Sequence, residues 1–550
     1  MLKRFDAGKY SYHEPSKNWM KIGDTEFGQI FPWRLEYNCP VHENWNIVHT
    51  GMLIPESHQI YVCSDNCLRG VILTADEMDA ADRISSVMPT ENEVVTGKLE
   101  EVTIDGVTDV IERLPKRPKA VELFLVCMHH LIGVDERYIY DSLKKRFPDI
   151  AFIPCYMDPI MQKVSLTPEQ KQRKSMMLQL KSYESSTAKI TNESGNLTGS
   201  GPAEKHHENS SEKDFAESSN ENEKDSAVRK AAILGDNLRL PESSDISRML
   251  AYAGYKIEQV QDKKTFEEYR SMGESSLFIT RSALSVYGLK ALAERDGKPY
   301  LYMPPVAVDS EIEDELKGLV EAVKNIAFPD ESYVNNDNDH AAGNNNTIAN
   351  DTKNNGSNFD FQQFIDKEKL LTKSAFSKAI LVIGDTEITL DYLCFPRPLS
   401  FARRLLSEGF HVTTVFLDGV SLEEKEDFEF LKENYPDLIL HSTNQVLDRH
   451  LPATAKCENS EYEGDLKKNS TSDSDSNLQN PEERKVLALG PKAAFSSQTD
   501  YFVNWIENDG NFGFDGLRKL CDEMIKSFET PKNRRDLVQR KGLHNPSILY

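Results

Sequence analysis

The chain has 550 residues, a formal net charge of −24 at pH 7 and 39% hydrophobic residues. That acidic balance excludes nucleic acid and an anionic membrane surface as partners, because both are recognised by basic footprints. The opening MLKRFDAGKYSYHEP lacks the apolar stretch of a secretory signal, and no apolar run approaches the roughly 20 residues that span a bilayer. The expectation is a cytoplasmic protein.

Eight cysteines occur, and five of them (Cys39, Cys63, Cys67, Cys127 and Cys155) precede residue 156. In a reducing cytosol such clustering points to metal binding or catalysis rather than to disulfides. Cys39 sits in the loop EYNCPVHENWN. Cys63 and Cys67 form C-x3-C, which puts both thiols on one face if the segment is helical. Two thiols with a histidine nearby also suit zinc, but a closed zinc site shows two tight ligand pairs and only one is visible. AVELFLVC (120–127) reads as a buried strand that ends on Cys127, followed by MHHLIGVD. AFIPC (151–155) reads as a second strand, with Cys155 as packing. His42, His49, His58, His129 and His130 read individually as hydrogen-bonded loop or core residues.

Further along, AAILGD (231–236), SLFIT (276–280), YLYMP (300–304), AILVIGD (379–385), VTTVFLD (412–418), DLILHS (437–442) and KVLALG (485–490) read as strands. Amphipathic stretches such as ISRMLAYAGY and LSFARRLLSEGF lie between them. This alternation predicts parallel sheets covered by helices. KAAILGD (230–236) and KAILVIGD (378–385) suggest an internal repeat, hence two similar doubly wound domains after an N-terminal one of the same class. In each Gly-Asp pair the glycine is expected to relieve the turn and the aspartate to cap the next helix.

Three polar stretches, 183–226, 333–358 and 455–483, carry almost no large apolar residues and are expected to be disordered insertions. The expected organisation is 1–182 as an α/β domain bearing the cysteines, 183–226 as an insertion, and 227–332 as a second α/β domain. An Asn-rich linker at 333–377 and a third α/β domain at 378–550, with its insertion at 455–483, complete it. Cys457 falls in that last insertion and is not expected to be a ligand. Neither G-x-G-x-x-G nor G-x-x-x-x-G-K-[ST] occurs, so binding of a dinucleotide or ATP by this chain has no support in sequence.

The order Cys39, then His58-x4-Cys63, then a strand ending in Cys127 with the tail Leu131-Ile132-Gly133-Val134-Asp135 resembles the N-terminal domain of the nitrogenase component 1 family. That family includes the nitrogenase subunits and the dark-operative protochlorophyllide and chlorin reductases. TRSALSVYGLKALAERDGKPYLYMPP and Gly510-Asn511-Phe512-Gly513-Phe514-Asp515-Gly516-Leu517 extend the resemblance over most of the chain. It implies three Rossmann-like doubly wound parallel-sheet domains around a cluster site. It also implies an oxygen-sensitive iron–sulfur cluster (4Fe-4S or P-cluster-like) held by Cys39, Cys63 and Cys127, with Cys67 in reserve. The implied partners are a second copy or a sister component 1 subunit, and a transient ATP-dependent iron–sulfur reductase that supplies electrons. The family's cysteine ligand to the iron–molybdenum cofactor falls near Thr280-Arg281 and its histidine at Phe512. Neither can ligate, so no iron–molybdenum cofactor and a substrate other than dinitrogen are expected. The alternative is a non-catalytic scaffold or carrier for metal-cluster assembly.

Overall fold

The computed structural model describes residues 18–28, 30–31, 41, 45–158, 166–182, 229–327, 360–443, 485–534 and 537. The expected insertions 183–226, 333–358 and 455–483 lie outside the described residues, as do Cys39 and Cys457.

The strands in chain order are β1 (Trp19–Lys21), β2 (Ser57–Val62), β3 (Ile84–Val87), β4 (Ala120–Val126) and β5 (Ala151–Met157). Next come β6 (Arg229–Ile233), β7 (Tyr255–Gln259), β8 (Leu277–Thr280) and β9 (Tyr300–Tyr302). The last are β10 (Glu387–Asp391), β11 (Val412–Phe416), β12 (Ile439–His441), β13 (Val486–Leu489) and β14 (Phe502–Val503). They form three sheets, ordered β3-β2-β4-β5, β7-β6-β8-β9 and β1-β12-β11-β10-β13-β14. All pairings are parallel except β1 with β12. The α/β class and the doubly wound parallel sheets expected from sequence are therefore present.

In each sheet the first parallel strand is central, with its successor on one side and a later strand on the other. Such an order creates a point where neighbouring strands lead away in opposite directions, leaving a crevice outside their carboxyl ends. The three crevices lie between β2 and β4, between β6 and β8, and between β10 and β13.

Four expectations need correction. The segment 379–385 is not a strand. It closes the helix Phe361–Ile383, whose buried Ile365, Glu368, Thr372, Phe376, Ala379 and Ile383 recur every three or four residues. The branched run AILVI imitates a strand because helix ends and buried strands share apolar composition. The apparent repeat therefore matches a strand (β6) to a helix end, and residues 361–377 are helix rather than linker. The true central strand is β10, whose Glu387, Thr389 and Asp391 obscured it. Finally, β1 adds to the third sheet, with Trp19 opposite His441, instead of joining the N-terminal unit.

One apolar cluster joins the first and second sheets through Phe124, Cys155, Met177, Phe278 and Leu289, among others. Another joins the second and third through Ile246, Leu316, Phe376, Leu487 and Phe514. Continuous burial of this kind fixes the sheets relative to one another. Among the described residues no helix is long and apolar enough to cross a membrane.

Candidate functional site

The first crevice carries the sequence-predicted thiols. Val62 on β2 lies beside Leu125 on β4, so Cys63 and Cys127 follow at the carboxyl ends of adjacent strands. Cys63 is fully buried among Tyr61, Leu68, Val71 and Phe124. Burial, with a lesser contribution from Cys67, pushes its thiol up to about 12. Cys127 opens the helix Cys127–Ile132 and is half-buried. Cys67 is exposed in the first turn of the helix Asp65–Glu77, 3.5 Å from the Ser64 hydroxyl. The C-x3-C pair thus straddles a strand end and a helix start instead of sharing one helical face. Exposed Ile72 and Leu73 on one of these helices, and Leu131 and Ile132 on the other, flank the edge.

His49, His58 and His129 follow their bland readings, and His42 lies outside the described residues. His58 meets the Ser85 hydroxyl at 2.8 Å. His129 accepts the Val126 amide and meets the Thr103 hydroxyl, and burial lowers it to about 4. His49 caps its own helix. Cys155 is fully buried packing. Among the described residues no three His, Cys, Asp or Glu side chains gather closely enough to hold a metal ion. Cys63 and Cys127 thus stand at the carboxyl ends of adjacent strands, without a third such side chain gathered beside them among the described residues.

The carboxyl edges of the second and third sheets face each other across a cleft of about 270 Å³. Trp45, Tyr302 and Tyr392 wall it, and Asp236, Arg281, Arg397, Glu423 and Glu507 supply charge. At the second crevice Asp236 follows β6 and Arg281 follows β8. The Arg281 Nε donates to Asp236 at 2.8 Å and its amide at 3.0 Å, while its remaining nitrogens donate to the Leu238 and Gly510 carbonyls. Asp236 is thus a partner of Arg281; the helix Asp245–Tyr252 is capped instead by Ser244. At the third crevice Asp391 accepts the amides of Leu393, Cys394 and Ala493. Buried Lys492 donates to the Tyr392 hydroxyl at 2.7 Å.

Among the described residues, two buried donors of the cleft, Trp45 Nε1 and Arg397 Nε, have no hydrogen-bond partner. Leaving a buried donor unmade costs about 1–3 kcal/mol, so such atoms mark places for a ligand or water. Arg397 stands among Glu311, Glu315, Glu424 and Asp427, whose carboxyls burial pushes up, Glu315 and Glu424 to about 7. Its charge is shared with these acids, so the cleft is not an open anion trap.

Glu507, Asn508 and Asp509 form a left-handed turn with φ of 50°, 52° and 52°, closed by Gly510 at 70°. Each non-glycine residue there costs about 1–2 kcal/mol against right-handed backbone. The turn is anchored by the Glu507 and Asn508 amides on the Leu393 and Cys394 carbonyls at 2.7 and 2.8 Å. Glu507, Arg397 and Trp45 were not singled out from sequence. The only local signal is the polar END before Gly510, and nothing in it says that three distant segments converge.

No family model matches the sequence, and no curated protein matches it. In fold, the chain is similar to a solved chain described as nitrogenase Cp1 at pH 6.5, with a TM-score of 0.53 and 11% identity. The match covers 91% of this chain and 94% of that one. A second, nitrogenase Cp1 at pH 5, gives 0.50 and 11% identity over 94% of each chain.

Proposed function

We propose that this chain is an iron–sulfur oxidoreductase subunit that takes low-potential electrons from a separate ATP-dependent reductase and reduces a small organic molecule other than dinitrogen. The observation that carries the reading is the placement of Cys63 and Cys127 on either side of the first crevice, within a three-sheet architecture shared with nitrogenase chains over nine-tenths of the length. The crevice between diverging parallel strands is where α/β folds bind their ligands.

Cys39, Cys63 and Cys127 would hold the cluster, with Cys67, an oxygen ligand or a partner subunit completing the set. A bound cluster supplies one-electron storage at a potential tuned by burial and hydrogen bonding. The apolar core around Cys63 excludes water from one side of that site. A second component 1 subunit, identical or sister, would cover Leu131, Ile132, Ile72 and Leu73, and the reductase would dock transiently near Cys63 and Cys127. The cleft, with its aromatic walls and unpartnered donors, receives the substrate.

The test is iron analysis of protein purified without oxygen. Cys127→Ala is expected to lose its iron and Cys457→Ala to keep it. Equal iron in wild type and Cys127→Ala overturns the reading. Quantitative transfer of iron to an apo acceptor, with no turnover, would favour the scaffold reading instead.

A further inference from the structure

Reduction of an organic molecule needs a proton for each electron, and the cleft contains a carboxyl built to hold one. Glu507 lines the cleft on the left-handed turn described above. Its Oε1 accepts the Asn237 side-chain amide at 2.9 Å. Asn237 is held in turn: its Oδ1 accepts Arg173 at 3.0 Å and the Thr50 hydroxyl at 3.3 Å. Arg173 is fully buried and also donates to the Gly235 carbonyl. Glu507 is therefore oriented by residues from the helix Pro168–Met177 and from the end of β6, while its own backbone is pinned to the loop after β10. Among the described residues its other oxygen, Oε2, makes no hydrogen bond.

The Asn237 bond assigns the proton. An amide N–H donates to the carbonyl-type oxygen, so a neutral Glu507 keeps its hydrogen on Oε2, the atom left to the cleft. Burial pushes this carboxyl up, opposed by Arg173, by the Asn237 bond and by Arg281, and assisted by Asp236. Strained backbone concentrates at functional sites because the surroundings must over-determine it. Three consecutive left-handed residues that carry one cleft carboxyl fit that pattern.

We propose that Glu507 is the acid of this cleft, giving its Oε2 proton to the substrate as each electron arrives. The inference rests on the oxidoreductase reading. In each half-step the substrate gains one electron from the reductase and one proton from Glu507, and the new bond to hydrogen forms as the O–H bond breaks. The carboxylate then takes a proton from water at the cleft mouth. Two half-steps saturate one double bond, consuming two electrons and two protons. Asn237 and Arg173 are positioning residues.

The test has two arms, both on full-length protein purified without oxygen. Infrared spectra of wild type and Glu507→Gln are compared at neutral pH in H2O and D2O. Glu122, Glu315 and Glu424 contribute protonated-carboxyl bands to both proteins, so the expected signal is a further such band, shifted in D2O, that remains in the wild-type minus Glu507→Gln difference spectrum. A difference spectrum showing only carboxylate overturns the proposal. In the second arm a europium(II) chelate supplies electrons and conjugated enones serve as acceptors. Glu507→Gln, which preserves the Asn237 bond, is expected to slow turnover about a hundredfold, and Glu507→Asp to retain part of it with a displaced pH profile. Equal turnover and an unmoved pH profile in Glu507→Gln overturn the proposal alone. Failure of the wild type to reduce any acceptor removes the oxidoreductase reading, and the proposal with it.

Discussion

The first and second crevices share a topology and differ in chemistry. Between β6 and β8, Asp236 and Arg281 close on each other, and the guanidinium then reaches the Gly510 carbonyl on the far side of the cleft. Between β2 and β4 the equivalent places hold thiols, one buried in the core and one half-buried. Paired charges make the second crevice a fastener between sheets. Thiols, which carry no charge until a metal or base removes the proton, leave the first crevice free to hold something else. Topology makes the crevices, and side chains decide whether each is structural or functional.

The sharpest way to break this comparison is to remove one half of the fastener. Arg281→Met leaves Asp236 buried without its cation and frees three carbonyl or carboxylate partners. The expected loss is about 3–5 kcal/mol in urea unfolding, as for other broken buried pairs. A loss under about 1 kcal/mol would mean that the pair does not fasten the sheets.

The core beneath the first crevice contains a buried carboxyl of a different kind. Glu122 on β4 accepts the Gln172 amide at 3.1 Å, and burial pushes it from 4.5 up to about 7. The folded chain therefore holds a proton that the unfolded chain releases between those values. Stability is full below about pH 4.5, falls as pH rises, and is lower by about 3 kcal/mol once Glu122 ionises above about pH 7. Arg83, which faces it, opposes this shift. Unfolding curves across that range should show the slope in wild type and a weaker one in Glu122→Gln. An identical slope in both would refute the assignment.

Within the first crevice itself, Cys63 and Cys127 should separate. Cys63→Ala removes a fully buried side chain from an apolar cluster and should cost about 1–2 kcal/mol even in metal-free protein. Cys127→Ala should cost under about 0.5 kcal/mol in the same protein, because its side chain is half-buried. Comparable costs would show that the two thiols are not divided between core and edge. The smallest effect expected is a gain. Asp79, exposed with φ 53° beyond the helix Asp65–Glu77, should stabilise the chain by up to about 1 kcal/mol when replaced by glycine, read as a rise in Tm.

Sequence legibility tracked local pattern. The runs at 120–126, 277–280 and 486–489 are apolar enough to be strands only if buried, and they are. The helix 361–383 was missed: residues 361–377 read as linker and the branched run at its end as a strand, although its buried residues recur every three or four. β10 was missed because alternate positions carry Glu387, Thr389 and Asp391. The last of these is buried and satisfied by three backbone amides that no local pattern reveals.

The sequence by itself determined the α/β class, most strand positions and the order of Cys63 and Cys127 along the chain, because hydrophobic periodicity and strand ends are local properties. Tertiary structure alone decided that Cys63 points into a core while Cys127 stays at the edge, since β2 alternation has meaning only once both sheet faces are covered. It alone decided that Asp236 pairs with Arg281 instead of capping a helix. It alone brought Trp45, Arg397 and Glu507 to one cleft, because a site assembled from three sheet edges depends on how the sheets pack, and packing depends on every buried surface at once.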